Sequence, residues 1–269
     1  MKIAVLGASG MLGNYLTNYL ETKFEVIPIG RTDIDAANAG AESILKLLKQ
    51  KGLQKDDIVV NAIGTIKPRV DELGDLNAIL VNSVFPHYLA NVAESLQLKM
   101  VHITTDCVFS GDRGQYNEKD KHDVTDVYGR TKSLGEPTSC SVFRTSIIGE
   151  EKNTKRSLVE WIKSNAGAQV NGFTNHLWNG LTCLQVVKCI EKMANENLFW
   201  KGVRHVHSPS PVNKFELVQL VSDICELNLK INPKEADPKC DRTLSTLYPP
   251  FDIPELKAQV DEMKKFRLK

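Results

Sequence analysis

An apolar segment at residues 2–7 runs directly into a glycine-rich turn, and this arrangement limits the fold more than any other stretch. The turn carries Gly7, Gly10 and Gly13, and residues 11–20 then show the apolar spacing of a helix. Glycines at i, i+3 and i+6 let the backbone approach a pyrophosphate at the helix N-terminus, where amide groups and the helix dipole favour anions. The segment therefore predicts a strand, a turn and a helix that bind a dinucleotide.

Strands and helices alternate over the first 150 residues. Apolar runs predict further strands at residues 25–29, 57–64, 100–105 and 142–148, and helical spacing predicts helices at residues 41–51 and 76–96. Pro86 lies inside the last of these helices and implies a kink or a break there. The alternation predicts an α/β fold with a Rossmann-type, doubly wound parallel sheet and right-handed crossovers.

The second half of the chain has a looser pattern. It predicts helices at residues 157–166, 184–197, 214–227 and 254–266, and a short strand at residues 203–207. We expect residues 1–150 to form an NAD(P)-binding Rossmann domain and residues 151–269 to form a smaller substrate-binding lobe. Because no linker or repeat separates the two halves, segments of the lobe are expected to return to the first domain.

The composition excludes several kinds of partner. Hydrophobic residues make up 42% and charged residues 25% of the chain, which are ordinary values for a soluble globular protein. A formal net charge of +1 gives no electrostatic basis for binding nucleic acid or a membrane surface, so a small-molecule ligand is expected. The chain has no room for a signal peptide before its first strand and no long apolar run, so a cytoplasmic location is expected. Six cysteines without zinc-site spacing predict free thiols and no metal.

The end of the second strand bears on the choice of cofactor. Gly30 is followed by Arg31, Thr32 and Asp33. An acidic residue at this strand end takes the ribose hydroxyls of NAD, whereas an arginine with a hydroxyl residue suits the 2′-phosphate of NADP. We therefore expect NADPH, with NADH as the alternative. In the other interpretation, Arg31 is a solvated loop charge.

Residues 128–132 bring reactive groups together. Tyr128 and Lys132 are four residues apart and therefore lie on one face of a helix, which Asp123, Thr125 or Asp126 can cap. An ammonium beside a phenol lowers the pKa of the phenol, so a tyrosine placed in this way can donate and accept a proton near neutral pH. This is the chemistry of a carbonyl reductase. The alternative is a surface helix with an extended lysine.

With these residues identified, the chain resembles the extended short-chain dehydrogenase/reductase family, and within it the dTDP-4-dehydrorhamnose reductases. Four markers occur in order, and Arg144-Thr145-Ser146 after the next strand also fits the family. They are Gly7-x-x-Gly10-x-x-Gly13, Asn61-Ala62-x-Gly64, Thr104-Thr105-Asp106-x-Val108-Phe109-x-Gly111, and Tyr128-x-x-x-Lys132 followed by Gly135-Glu136.

The resemblance implies a catalytic triad and a set of cofactor contacts. Tyr128 would protonate the carbonyl oxygen, Lys132 would lower the pKa of that phenol and hold the nicotinamide ribose, and Thr105 would donate a hydrogen bond to the oxyanion. Cofactor contacts would come, besides Tyr128 and Lys132, from Gly7, Gly10, Met11, Leu12, Gly13, Arg31, Asp33, Ile34, Ala62, Ile63, Gly64 and Thr104. For Asp33, a capping or turn carboxylate is the alternative interpretation.

One departure from the family concerns epimerisation. Where the dTDP-4-dehydrorhamnose reductases usually carry a tyrosine after Thr-Asp, this chain has Cys107. A cysteine here resembles the bifunctional epimerase/reductases, in which a cysteine and a histidine move protons on the carbons beside a 4-keto group. His176 is then the candidate partner. The alternative for Cys107 is a small buried hydrophobic residue.

The substrate side departs further from the family. Residues 171–180 are rich in aromatic and hydrogen-bonding groups that suit a sugar and a base, and Arg242 can bind a diphosphate bidentately. The alternatives are a packed loop and a surface ion pair. The substrate-binding candidates are Thr105, Asp106, Cys107, Asn175, His176, Trp178 and Arg242.

These features predict an NADPH-dependent reductase of the 4-keto group of a nucleotide-diphosphate sugar, a 4-keto-6-deoxyhexose. The alternatives are a bifunctional 3,5-epimerase/4-reductase, a reductase of a UDP-2-acetamido-2,6-dideoxyhexulose, and a catalytically silent nucleotide-binding regulatory subunit. The residues do not separate dTDP, UDP and GDP. The resemblance also implies a homodimer formed through residues 76–96 and 128–136.

Overall fold

The computed structural model describes residues 1–152 and 155–268; residues 153, 154 and 269, within the predicted second lobe, lie outside the described residues. Helices α1–α10 are Met11–Leu20, Ala41–Gln50, Lys67–Leu73, Asp75–Ala78, Phe85–Ser95, Val127–Leu134, Leu158–Ser164, Cys183–Glu196, Lys214–Ile224 and Leu256–Lys265. Strands β1–β13 are Lys2–Leu6, Glu25–Ile29, Ile58–Asn61, Lys99–Thr105, Ser141–Thr145, Ile147–Ile148, Gln169–Phe173, His176–Trp178, Leu181–Thr182, Gly202–His205, Val212–Asn213, Lys230–Lys234 and Cys240–Asp241.

Six parallel strands form the central sheet, in the order β2-β1-β3-β4-β5-β10. The predicted Rossmann-type sheet is therefore confirmed. Strand β1 lies between β2 and β3, so the chain leaves β1 toward one edge of the sheet and returns from β2 to the other side of β1. This reversal opens a crevice at the carboxyl ends of the strands, which is where ligands bind in such folds.

Helices cover both faces of the sheet, as the apolar composition of its strands requires. On one face, α1 and α8 pack against the sheet through Leu16, Ile190 and their neighbours. On the other face, α2 and α5 pack through Leu48, Phe85 and their neighbours. The two cores fix the strands on which the crevice is built.

The second half of the chain contributes to the central sheet and also forms small sheets of its own. Strand β10 pairs with β5, while β8 pairs with β11 and β13, and β7 pairs with β12. The prediction of a single strand at residues 142–148 is wrong in one respect. It divides into β5 and β6 because β6 leaves the central sheet and pairs with β9.

The helix predicted at residues 76–96 is interrupted. A π-helical segment, Ile79–Val84, separates α4 from α5, and Pro86 lies in the first turn of α5. The break therefore precedes the proline, whose missing N–H is tolerated at a helix start. Among the described residues, we find no helix that combines the length and the apolar character needed to cross a membrane.

A buried arginine holds the polar loop at residues 110–126 against the sheet. Arg144 on β5 donates to both carboxylate oxygens of Glu136, at 3.0 Å and 2.6 Å. Nη2, which bonds to Glu136, also lies 2.7 Å from Nε2 of His122, and Nη1 lies 2.8 Å from Nε2 of His205. The loop, the segment after α6 and β10 are thereby joined at one charged centre.

Candidate active site

A cleft of about 650 Å³ lies at the carboxyl ends of the strands. It is bounded by the loops that follow β1, β3, β4 and β5 and by helix α6. Thirteen of the predicted site residues line it: Gly10, Met11, Leu12, Arg31, Ala62, Ile63, Gly64, Thr104, Thr105, Asp106, Cys107, Tyr128 and Lys132. One continuous surface therefore joins the glycine-rich turn to the Tyr-x-x-x-Lys pair.

The glycine-rich turn packs closely against the start of α1. A Cβ atom on Gly13 would lie 2.0 Å from the carbonyl oxygen of Gly7, so no larger residue fits there. Helix α1 has Gly10 as its N-cap and no side chain capping it. Backbone amides at this helix end are thus available to a phosphate at the surface of the cleft.

A second cavity, of about 350 Å³, extends the cleft past the end of β2. Arg31 lines both cavities, whereas Gly7 and Ile34 line the second one only. Asp33 lines neither, because its carboxylate accepts from Nζ of Lys51 at 2.7 Å and from the backbone of Gly30 at 2.9 Å. The hydrogen bond from Lys51, and then that from Gly30, lowers the pKa of Asp33. The structure thus gives Asp33 the role of a turn carboxylate.

The residues of the cleft fit a bound dinucleotide. The glycine-rich turn and the N-terminus of α1 offer backbone donors for a pyrophosphate. The hydroxyl of Thr104, which lines the cleft, is buried and has no hydrogen-bond partner among the described residues. A buried hydroxyl without a partner is unfavourable, so a ligand that bonds to it would be stabilised.

Helix α6 places Tyr128 in the cleft. Its N-cap is Asp126, whose Oδ1 accepts from the backbone of Gly129 at 2.9 Å. A Cβ atom on Gly129 would lie 2.3 Å from the carbonyl oxygen of Cys107, so this glycine lets the helix approach the turn after β4. The phenol of Tyr128 is thereby brought close enough to Thr105 for the hydroxyl of Thr105 to lower its pKa, against the effect of burial.

Lys132 is buried one helical turn further along, where its Nζ donates to the carbonyl oxygen of Ile103 at 3.0 Å. Burial lowers the pKa of Lys132 to about 8. Burial also raises the pKa of Tyr128, with Cys107 adding to this effect, although the Thr105 hydrogen bond acts in the opposite direction. Desolvation therefore dominates the pKa of the phenol in this arrangement, and the lowering of that pKa by Lys132 stays a prediction.

Thr105, Asp106 and Cys107 form the turn that follows β4. The hydroxyl of Thr105 donates to Oδ1 of Asp106 at 3.1 Å and accepts from the backbone of Cys107 at 3.1 Å. Burial raises the pKa of the Cys107 thiol to about 12, and the neighbouring Asp106 contributes in the same direction. Cys107 therefore carries a proton at neutral pH and is a poor base in this environment.

Two predicted substrate residues from the second half lie outside both cavities. His176 contacts the carbonyl oxygen of Pro238 at 3.2 Å and packs against the ring of Phe173. The amide of Asn175 donates to the backbone of Ala236 at 2.8 Å and accepts from it at 2.9 Å. His176 on β8 faces the segment before β13, and its partnership with Cys107 stays a prediction.

Trp178 and Arg242 also lie outside the cavities, but they adjoin the turn after β4. Nη1 of Arg242 lies 3.9 Å from Sγ of Cys107, and its Nε donates to the carbonyl oxygen of Phe109 at 2.9 Å. The buried ring of Trp178 lies 5.1 Å from Nζ of Lys214. Lys214 was not among the sequence-predicted residues, and no local pattern marks it.

Several other residues of the cleft were also missed by sequence reasoning. Of these residues, Thr145 and Ser146 belong to the Arg144-Thr145-Ser146 segment that fits the family, so the family resemblance gave a reason to consider them. Most of the others come from the loop after β3 with α3 and from the segment that leads into α7: Thr65, Ile66, Arg69, Glu151, Lys152, Arg156, Ser157 and Leu158. The rest are Ser9, Asn14, Ile103 and Ile147. Helix α3, which carries Arg69, has no distinctive periodicity and was not predicted.

Comparison with known proteins gives a family match over most of the chain. Residues 1–243 match the family described as RmlD substrate binding domain. A dTDP-4-dehydrorhamnose reductase from Burkholderia thailandensis is 31% identical over 137 residues, which is 51% of this chain and 44% of that protein. The chain thus spans less than half the length of this curated relative.

Two further similarities extend over more of the chain. Methionine adenosyltransferase 2 subunit beta from Xenopus laevis is 24% identical over 248 residues, covering 84% of this chain and 72% of that protein. The crystal structure of a dTDP-4-dehydrorhamnose reductase from Bacillus anthracis, in complex with NADP, superposes with a TM-score of 0.82. It covers 98% of both chains at 17% identity, a likeness that shows the fold.

Proposed function

The chain belongs to the RmlD substrate binding domain family, and we propose that it catalyses NADPH-dependent reduction of the 4-keto group of a nucleotide-linked 4-keto-6-deoxyhexose. The observation that carries the proposal is the single cleft lined by the glycine-rich turn, Thr105, Tyr128 and Lys132. The named activity of the Burkholderia relative supports the choice of substrate class. The product would be a deoxysugar donor for polysaccharide or glycan synthesis.

In the proposed mechanism, the chain's own groups handle the proton and the charge on oxygen. When bound, the nicotinamide supplies hydride to the carbonyl carbon. Tyr128, whose raised pKa keeps its phenol protonated at neutral pH, donates that proton to the carbonyl oxygen. The ammonium of Lys132 stabilises the resulting phenolate, and the hydroxyl of Thr105 donates a hydrogen bond to the same substrate oxygen.

NADPH is the cofactor that we propose, because Arg31 lines both cavities of the cleft. Asp33, the residue that would favour NAD, is paired with Lys51. An arginine at this strand end suits a 2′-phosphate better than ribose hydroxyls. The NADP bound to the structurally similar Bacillus anthracis enzyme is consistent with this choice.

The proposal is tested by NADPH oxidation at 340 nm with a panel of dTDP- and UDP-linked 4-keto-6-deoxyhexoses. The panel includes UDP-2-acetamido-2,6-dideoxyhexulose, and each sugar is supplied with and without a separate 3,5-epimerase. We expect turnover of at least one dTDP-linked sugar. Absence of turnover with every member, by protein that binds NADPH, would exclude the reductase.

The matched variant for this experiment is Tyr128→Phe, which keeps the ring and removes the proton donor. Turnover should fall by about 10²- to 10⁴-fold while NADPH binding is nearly unchanged. Tyr248→Phe serves as a control, since that side chain is exposed and lies outside the cleft. Equal rates for Tyr128→Phe and the wild type would remove Tyr128 from the mechanism.

Whether the chain also epimerises its substrate is decided by the two arms of the panel. The protonated thiol of Cys107 and the position of His176 favour a dedicated reductase. We therefore expect turnover only when the separate epimerase is present. The bifunctional alternative would be established by two results together. The protein would turn over its substrate without the separate epimerase, and it would incorporate solvent deuterium at the carbons beside the ketone, whereas Cys107→Ser would not incorporate it.

A regulatory subunit without catalysis is the second candidate function. It is favoured by the similarity to methionine adenosyltransferase 2 subunit beta, which covers more of this chain than the match to the reductase does. The presence of Thr105, Tyr128 and Lys132 in one cleft argues against it. Nucleotide binding without turnover of any sugar in the panel is the result that would favour this candidate.

The location and the oligomeric state also remain proposals. We propose a cytoplasmic location. We also propose a homodimer formed through α4, α5 and α6, because Leu76 on α4 and Leu134 on α6 are 70% and 69% exposed. Large apolar side chains that are exposed close together favour association. Light scattering after size exclusion should give twice the mass of the chain, and a monomer at micromolar concentration would contradict the dimer.

A further inference from the structure

The cleft and the second cavity meet beside the glycine-rich turn. Gly10, Arg31 and Arg69 are among the residues that line both of them. Tyr128 lines the cleft only, and Ile34 lines the second cavity only. Because a pyrophosphate joins the two nucleosides of a dinucleotide, a cofactor with its nicotinamide near Tyr128 and its adenosine near Ile34 would have its pyrophosphate at this junction.

Helix α3 extends across the junction. Its N-cap, Ile66, lines the cleft only, and its last residue, Leu73, lines the second cavity only. Arg69 lies between them in the helix and lines both cavities. The start of α3 is held on the catalytic side, because Nζ of Lys67 donates to Oδ2 of Asp126, the N-cap of α6, at 3.2 Å. Arg69 is thus placed next to the middle of a bound dinucleotide.

Arg31 and Arg69 reach the junction from different sides. Strands β2 and β3 are the two neighbours of β1 in the central sheet. Arg31 follows β2, Arg69 lies on the helix that follows β3, and the glycine-rich turn follows β1 between them. A pyrophosphate at the N-terminus of α1 would therefore have one arginine on each side of it.

The guanidinium of Arg69 is only partly paired. Its Nε lies 3.6 Å from Oε2 of Glu72, which is beyond hydrogen-bond distance. Glu72 is closer to Arg156, whose Nη1 donates to its Oε1 at 2.8 Å, and Glu72 lines neither cavity. In the parts of the chain that the structure describes, no further partner of this guanidinium is found. The two terminal nitrogens of Arg69 can therefore donate to a ligand.

The carboxylates of the site do not neutralise this charge. Three acidic residues line a cavity, and each lines only one: Asp35 the second cavity, and Asp106 and Glu151 the cleft. Asp35 accepts hydrogen bonds within its own turn, and Asp106 accepts from the hydroxyl of Thr105. Glu151 accepts from the backbone of Ser157 at 3.1 Å. Within residues 1–152 and 155–268, two arginines but no carboxylate line both cavities, and this positive charge suits a pyrophosphate.

We propose that Arg69 binds the pyrophosphate of the dinucleotide cofactor. The proposal rests on the proposed function and deepens it, because it adds a cation from α3 to the backbone amides of the glycine-rich turn. A guanidinium can donate to two phosphate oxygens at once and brings a full opposite charge. Arg31 and Arg69 then have separate roles. Arg31 acts on the 2′-phosphate of NADPH alone, whereas Arg69 acts on the phosphates that NADPH and NADH share.

The proposal is tested by fluorescence titration of the protein with NADPH and with NADH. Arg69→Met, which removes the charge but keeps an unbranched chain, should weaken the binding of both by about 10- to 100-fold. Arg69→Lys should restore part of the loss, because an ammonium keeps the charge without the bidentate geometry. Arg267→Met, at an exposed arginine outside both cavities, should change neither affinity. A loss confined to NADPH would overturn the proposal, as would two unchanged affinities.

A second measurement uses the unaltered protein, in case Arg69→Met does not fold. Modification of arginines with phenylglyoxal, followed by mass spectrometry, should show that NADH protects Arg69, whereas adenosine does not. An Arg69 that NADH leaves unprotected, or that adenosine protects equally, would overturn the proposal.

The two proposals fail in different ways. Dinucleotide binding that depends on Arg69, in a protein that turns over no sugar, would count against the reductase alone. Sugar turnover by a protein whose affinities for NADPH and NADH are unchanged in Arg69→Met would count against the role of Arg69 alone. A protein that binds neither dinucleotide would contradict both proposals.

Discussion

The ammonium of Lys132 donates a 3.0 Å hydrogen bond to the carbonyl oxygen of Ile103, which joins the catalytic helix α6 to the strand that carries Thr105. The two atoms lie on the side of the cleft that the sheet forms, so Lys132 is removed from solvent as well as held in position. Its pKa of about 8 follows from that desolvation. The contact therefore has a consequence for the pH dependence of the reaction.

We expect kcat/KM to fall as the pH rises above about 8, because the free enzyme then loses the ammonium that stabilises the Tyr128 phenolate. The sign follows from the lowered pKa, since the cationic form predominates only below it. Lys132→Met should be less active at every pH and should lack this alkaline decline. An unchanged decline in Lys132→Met would assign it to another group.

Arg31 should determine the preference for the phosphorylated cofactor. Arg31→Ala is expected to raise KM for NADPH by about 10- to 100-fold while leaving KM for NADH unchanged, because only NADPH presents a 2′-phosphate. Lys46→Ala serves as the control, since that residue is an exposed charge on α2 that lines neither cavity. Steady-state kinetics with both cofactors measure the effect, and equal losses with NADPH and NADH would exclude a specific 2′-phosphate contact.

Sequence patterns located the ends of strands well and the directions of side chains poorly. The glycine-rich turn after β1 and the pair Tyr128 and Lys132 are local patterns with fixed spacing, and the structure brings both into one cleft. Asp33 had the right position for an adenosine contact, but its carboxylate is directed to Lys51, eighteen residues further along the chain. Tertiary packing brings Asp33 and Lys51 together, so the local sequence around either residue does not predict the pair.

The second half of the chain shows the same limit. Lys214 and Arg242 adjoin Cys107 only because β8 pairs with β11 on one side and with β13 on the other. Strands of two or three residues leave almost no periodicity in the sequence, so this small sheet was not predicted. The division of the chain near residue 150 remains a prediction.

Asn82 should prove important for both stability and cofactor binding. It lies in the π-helical segment, and its side chain accepts from the backbone of Thr65 at 2.8 Å and donates to the carbonyl of Thr65 at 3.0 Å and to Thr131 at 3.2 Å. Asn82→Ala leaves these buried groups without partners and should cost about 2–4 kcal/mol of unfolding free energy. NADPH affinity should also fall, because Thr65 lines the cleft.

Urea unfolding and NADPH titration measure the two effects of Asn82→Ala. Asn91→Ala on α5 is the matched control, since that residue is exposed and should change the unfolding free energy by less than about 0.5 kcal/mol. A variant with full stability and unchanged NADPH affinity would show that the π-helical segment does not position the loop after β3.

Removing one partner of the ion pair between Arg144 and Glu136 should strongly lower the free energy of unfolding. Their side chains are only 2% and 6% exposed. Glu136→Gln leaves a buried guanidinium without its carboxylate and should lower the unfolding free energy by about 3–5 kcal/mol. Glu94→Gln removes an exposed pair with Lys201 and should change it by only about 0–1 kcal/mol. Similar losses in the two variants would mean that burial does not govern the contribution of these pairs.

Buried thiols should make the protein less stable in alkaline solution. Burial raises the pKa of Cys140 and of Cys189 from 9.0 to about 12. Between these values the unfolded chain releases protons that the folded chain retains, so the unfolding free energy should fall as the pH rises above about 9. Lys132 and Lys214 act in the opposite direction, because burial lowers the pKa of both, that of Lys132 from 10.5 to about 8, but they are two groups against several thiols.

Urea unfolding between pH 8 and pH 10, under reducing conditions, measures this dependence. Each thiol removed should reduce the slope by up to about 1.4 kcal/mol per pH unit, because one proton fewer is linked to unfolding. Cys140→Ala therefore gives a shallower decline than the wild type, even though it also leaves a small cavity. Cys240→Ala is the control, since that thiol is only half-buried and should change the slope less. A wild-type unfolding free energy that rises from pH 9 to pH 10 would show that the buried lysines outweigh the thiols.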